Sequence, residues 1–295
     1  MKTYPGQGEA LGAWALWGAV TLAVLVTYSR LDAAELYNVS HEGLAGGLGR
    51  AVVLFNFPIA LVAVALALVA VAALSPRWWL VAGPAIALCA VVPFAVDQDD
   101  LDVRWVNAIP ALGVVLALTL TIAAARDAGA SFASRRAGDP LRLIAAALVV
   151  LCSLPWIAAE LGFHLPGDVF LGEELYREKD GRSFAAVHLG HHHGGDGAVL
   201  VLTALLVSRV RMRPGRLGAV LSGYLGLMLA YGVVNLAQDL WHEQVVKRGW
   251  TELDIPSALL PGVRPIWLVI VVLAAAATAV LLREGAHDGA RPARA

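Results

Sequence analysis

The sequence predicts an all-α, polytopic integral membrane protein of about eight transmembrane helices, and three observations predict it. Hydrophobic residues make up 59% of the chain and charged residues only 15%, against roughly 45–50% and about 25% in soluble proteins. Mean hydropathy is +0.69. The apolar runs also last about the 20 residues that a helix needs to cross a bilayer, longer than an ordinary core helix. This composition excludes a soluble enzyme, a disordered chain and a nucleic-acid binder, and a net charge of -1 gives no reason to expect an anionic partner.

The runs, in order, are Leu11–Ser29, Ala51–Leu74, Trp79–Val96, Val106–Ala125, Leu143–Leu161, His188–Ser208, Leu217–Ala237 and Pro265–Leu282. Lipid offers no partner to the backbone, so each is read as a helix. The first run follows Lys2 and is stopped by Tyr28-Ser29-Arg30 with no small-residue cleavage site, which makes it a retained span and not a signal peptide. The whole chain, 1–295, reads as a single membrane domain with a short cytoplasmic tail at 284–295. Cys89 and Cys152 fall inside spans, where cysteine packs as a small apolar residue.

Positive residues favour the cytoplasmic side, and short segments beside the spans weigh most. With the N-terminus cytoplasmic, 13 of the 22 basic residues lie inside, Arg126–Arg142 and Arg209–Arg216 deciding the matter. Both termini are therefore expected inside. Trp78, Trp79, Trp105, Trp250 and Trp267 stand near the proposed interfaces, where amphipathic rings prefer to lie. Arg-rich, Lys-poor usage with abundant Ala, Gly and Val points to a GC-rich bacterial genome and hence a plasma (inner) membrane.

This topology sends nearly all chemistry-bearing side chains outside: seven of the eight histidines, Asp32, Glu35 and Glu42 of the first loop, and Asp97, Asp99, Asp100 and Asp102 of the third. The strongest local signal is His188-Leu189-Gly190-His191-His192-His193-Gly194-Gly195-Asp196. On a helix His188, His191 and His192 share a face, with Asp196 a turn further. Imidazole suits zinc, copper, iron and nickel, and a carboxylate completes a mixed site. The plain alternative is a polar helix end whose histidines meet headgroups and water.

A second candidate is Asp239-Leu240-Trp241-His242-Glu243, whose acid and histidine stand at the spacing used in di-metal bundles. A solvated helix end is the alternative. His41-Glu42 is a weaker candidate of the same kind, with surface residues as its plain reading. Asn56 beside Pro58, and Asn235 near Tyr231, either line a polar cavity or hydrogen-bond between helices.

The halves 1–136 and 137–295 share sparse features. Glu35-Leu36-Tyr37 recurs as Glu174-Leu175-Tyr176, Gln98-Asp99 as Gln238-Asp239, and a His-then-Gly stretch opens a span at His41–Gly47 and again at His188–Gly195. A 4+4 parallel repeat would gather Glu35, His41, Glu174 and the His cluster around one outer cavity.

His188-Leu189-Gly190-His191-His192 resembles the His-x-x-His-His box of membrane fatty-acid desaturases and hydroxylases, which bind two irons. Their further boxes are missing and theirs face the cytosol, so the resemblance implies a metal and not desaturation. Arg30-Leu31-Asp32-Ala33-Ala34-Glu35-Leu36-Tyr37 is similar to the acidic first outer loop of polyprenyl-phosphate-sugar glycosyltransferases. That likeness would make Asp32 or Glu35 a catalytic base. No family pattern covers the whole chain.

Three functions are expected. The first is a metal-dependent membrane enzyme acting on a lipid or lipid-linked substrate. It would hold a divalent zinc, iron or copper on His188, His191, His192, His193, Asp196, His242 and His41, with Glu174, Glu243, Asp239 and Glu35 as its carboxylates. A bound metal lowers the pKa of its water to about 7, and a free acid serves as base. The second is a metal-handling protein for transport, acquisition or cofactor assembly. The third is a structural or complex-forming membrane subunit.

Overall fold

The computed structural model describes residues 7–31, 40–96, 102–161, 169–170, 172–177, 183–187, 193–210, 215–259 and 263–289. Its helices are α1 (Gln7–Arg30), α2 (Gly43–Val53), α3 (Ile59–Ala73), α4 (Trp79–Ala90), α5 (Val92–Ala95), α6 (Ala108–Ala128), α7 (Asp139–Cys152), α8 (Leu154–Leu161), α9 (His193–Val207), α10 (Arg216–Trp241) and α11 (Pro265–Gly289). One small antiparallel hairpin, β1 (Gly172–Arg177) with β2 (Ser183–Val187), pairs Leu175 with Ala185 and Tyr176 with Phe184.

Four helical stretches are long and apolar enough to cross a membrane: Gln7–Arg30, Trp105–Ala128, Arg216–Val246 and Pro265–Glu284. That is fewer than the eight expected. The other four apolar runs are helical but broken or short, and proline accounts for most of the breaks. Proline lacks an N–H and its ring clashes with the preceding turn. The second run divides into α2 and α3 around Pro58, the third into α4 and α5 before Pro93, and the fifth into α7 and α8 before Pro155. The sixth run contributes the 15-residue α9.

Helix α3 is apolar on every side and buried along nearly all its length, as such a helix must be. It packs on α4, α6 and α10, while α1 packs on α2, α6 and α9, and α10 lies between α9 and α11. Polar rivets join these helices. Trp14 and Trp17 of α1 donate to Thr121 of α6 and Thr203 of α9, each at 3.0 Å, and the Tyr224 hydroxyl donates to the Leu61 carbonyl at 2.8 Å. Most of α11 and one side of α7 expose large apolar side chains, among them Leu143, Leu148, Leu268 and Val272.

The expected 4+4 repeat is not reproduced in the packing. In the first half α3 lies on α6, whereas among the described residues α9 and α11 make no comparable contact.

Candidate functional site

Charge is sorted to the two ends of this helical body. At one end Arg209, just past α9, ties together α1, the segment before α7, and α7 itself. Its guanidinium meets the Glu9 carboxylate at 3.2 Å and that of Asp139 at 3.2 Å, and donates to the Ala133 carbonyl at 3.1 Å. Glu9 is fully buried and also accepts from the Ala133 N–H at 2.9 Å. Arg142 extends the network to the Ser208 hydroxyl and to Glu284 of α11. The basic segments were visible in the sequence. Glu9, their buried counter-charge, was not singled out, because it opens a span as an ordinary helix-initiating acid.

The opposite end carries Asp239, His242 and Glu243, with Lys247 and Arg248 beside them. The C-terminal end of α10 passes into a π turn, His242–Val246, a widened turn that often marks functional sites. Around it other segments converge. Asp239 Oδ2 accepts the Gly194 N–H, at the start of α9, at 2.7 Å. A carboxylate aimed at a helix N-terminus satisfies a donor that the helix leaves unpaired, and it also meets the positive end of the helix dipole. His242 Nδ1 lies 2.9 Å from Asp254, Trp241 donates to the Leu253 carbonyl at 2.6 Å, and Lys247 pairs with the buried Glu243 at 2.7 Å. Gln244 and Arg248 donate to the carbonyls of Phe170 and Val169, and β2 packs on the π turn.

Two glycines of the Gly-Gly-Asp-Gly that follows the histidines, Gly194 and Gly197, are explained by packing. A Cβ on Gly194 would stand 2.3 Å from the Trp156 ring, and one on Gly197 would stand 2.6 Å from the Gly232 carbonyl of α10. Only glycine admits so close an approach.

Of the expected site residues, the structure brings Gly194 and therefore the end of the His cluster to Asp239, with His242 and Glu243 one turn on. His193 is half-buried at the start of α9 and Asp196 is buried in its first turn. Glu174 lies on β1. Glu35, His188, His191 and His192 lie outside the described residues. Among the described residues no group of three or more His, Cys, Asp or Glu could hold a metal ion. Asp239 and Glu243 are instead engaged by Gly194 and Lys247.

His41 is drawn elsewhere, to Asp102 in the segment before α6. Its Nδ1 stands 3.3 Å from Asp102 and 3.1 Å from the Ser40 hydroxyl, while the Ser40 N–H donates to Asp102 at 3.2 Å and its hydroxyl donates to the same carboxylate. Hydroxyl and carboxylate meet the same ring nitrogen, so the imidazole does not bridge them as a nucleophilic triad requires. The cluster ties two loops together. Partial burial pushes the Asp102 carboxyl up, but the hydrogen bonds from Ser40 and the nearby His41 outweigh it and hold the group below its ordinary value.

Asn235 is buried, and Tyr231, one turn before it, stacks on Trp267 with centroids 5.8 Å apart and meets Phe57 edge-on. Asn56 is buried with neither amide atom hydrogen-bonded.

No protein-family model, curated protein or solved structure matches the chain.

Proposed function

We propose that the chain is a multi-spanning protein of a bacterial plasma membrane whose outer face holds a transition-metal site, and that it acts as a metal-dependent enzyme on a lipid or lipid-linked substrate. In this reading all eight apolar runs cross the membrane, both termini are cytoplasmic, and His188, His191 and His192 are the ligands.

One observation carries the proposal: the histidine-bearing segment is tied to α10 at both ends. Strand β2 (Ser183–Val187) packs on the π turn, and Gly194 is bound by Asp239. The five residues 188–192 stand between these two points in the sequence. Their fully extended reach is only about 20 Å. A short connection between two points on one helix end supports a preorganised site for the three imidazoles.

The roles of the acids shift accordingly. Asp239 becomes a positioning residue that fixes the start of α9. Glu243, buried and paired with Lys247, is a reserve of negative charge beside the histidines. Glu174, on the strand that precedes the cluster in the sequence, is the acid that would accept a proton from a bound nucleophile. A divalent zinc, iron or copper would supply either an activated water or a polarised substrate oxygen.

Metal analysis of the purified full-length protein tests this. About one equivalent of metal is expected, lost in the combined His188→Ala, His191→Ala and His192→Ala variant while thermal unfolding stays cooperative. Metal-free protein, or metal retained by that variant, would sink the reading. Flux of the metal through proteoliposomes would replace the enzyme with a metal-handling protein.

A further inference from the structure

Arg50 occupies an unusual position. It immediately precedes the apolar run Ala51–Leu74, the level at which a long basic side chain ordinarily reaches out to headgroups and water. Instead it is turned into the protein and only 1% exposed. Its guanidinium carbon stands 5.7 Å from the centroid of the Tyr28 ring on α1, and neither Nε nor Nη1 has a hydrogen-bond partner.

Among the described residues the surroundings add a donor, and no ion pair is made by Arg50. Gly46 and Gly47 precede Arg50 by one turn of α2, and both meet the last turns of α1. A Cβ on Gly47 would stand 2.0 Å from the Ser29 hydroxyl. That hydroxyl oxygen is itself buried without a partner. The α1–α2 junction thus holds a guanidinium and a hydroxyl with unspent donors against an aromatic face.

Burying a charge without a partner costs several kcal/mol, and a guanidinium keeps its charge in proteins. Acceptor-rich anions are what such a group recognises, phosphate above all. From these facts we infer that the α1–α2 junction is a phosphate-binding site, with Arg50 as its principal ligand and Ser29 as a second donor. It lies on α1 and α2, shares no residue with the α9–α10 site, and does not depend on the metal reading.

The phosphate can be a lipid headgroup or the free ion, and one experiment separates them. The full-length protein, delipidated in a maltoside detergent, is unfolded thermally with inorganic phosphate, with short-chain phosphatidylglycerol, or with sodium chloride at equal ionic strength. Phosphate or phosphatidylglycerol is expected to raise the melting temperature above the chloride control. A response to phosphate alone assigns the free ion, and a response to phosphatidylglycerol only assigns the headgroup. Arg50→Gln removes the buried charge, leaves the protein no less stable without phosphate, and weakens binding at least tenfold. Arg50→Lys keeps the charge without the planar donors and serves as the folded comparison, with a smaller loss. Two results overturn the site: equal shifts in wild type and Arg50→Gln, or no shift in wild type. A third does so as well: destabilisation by Asp32→Asn or Glu35→Gln that disappears in the Arg50→Gln background assigns the guanidinium to an acid of this chain. Metal content is expected to be unchanged in Arg50→Gln, so failure here and failure of the metal reading are distinguishable.

Discussion

Ser40, His41 and Asp102 show how a single carboxylate joins two loops that are remote in sequence. Three interactions converge on Asp102, and together they lower its proton affinity in the folded state. Stability gained this way is fully present above the unfolded value of about 3.9. It is lost as the pH falls through the depressed folded value. Titration of labelled aspartate by NMR is expected to find Asp102 below its ordinary range. In Ser40→Ala it moves back upward, because one of the hydrogen bonds to the ionised form is gone while the backbone bond stays. An unmoved Asp102 would show that the Ser40 hydroxyl contributes nothing. His41 was legible in the sequence as a polar outer residue. Its partner was not, because nothing in the spacing of residues 41 and 102 relates them.

At the scale of elements, α9 and α10 are held by an approach that a side chain would prevent. In an exposed helix, replacing glycine by alanine stabilises by about 1 kcal/mol. Gly223 of α10 has nothing within 4 Å of its missing Cβ, so Gly223→Ala is expected to raise stability by up to that amount. Gly197→Ala faces backbone at 2.6 Å and 3.0 Å, and backbone does not rotate away. Overpacking of this kind costs about 1–3 kcal/mol, which exceeds the propensity gain. Thermal unfolding in detergent is expected to move in opposite directions for the two variants. The hairpin, too, is an element the run-by-run reading passed over. Its signal was present as Asp180-Gly181 between the short runs of β1 and β2, a pattern typical of hairpins. Runs this short carry no bilayer-length signal.

For the whole molecule, the sorting of charge is the organising feature. Glu9, Asp139, Arg142, Arg209 and Glu284 gather at one end of the helical body, and Asp102, Asp239, His41 and His242 at the other. If the basic end is cytoplasmic, cysteines introduced at positions 135 and 41, in a background with Cys89 and Cys152 replaced by alanine, label from opposite sides of a sealed membrane. Position 41 is expected to react from outside only, and the reverse pattern inverts the topology. The sequence by itself determined that this chain is helical, apolar and polarised, because hydropathy and the placement of Arg and His are properties of the linear order. It also located the His-rich and Asp239–Glu243 segments. Only the tertiary structure decided that Pro58, Pro93 and Pro155 divide three of the eight runs, that Asp239 serves the start of α9, and that Arg50 turns inward. Each depends on which group stands within a few ångströms of another, and contact at that range is set by packing between elements distant in the chain.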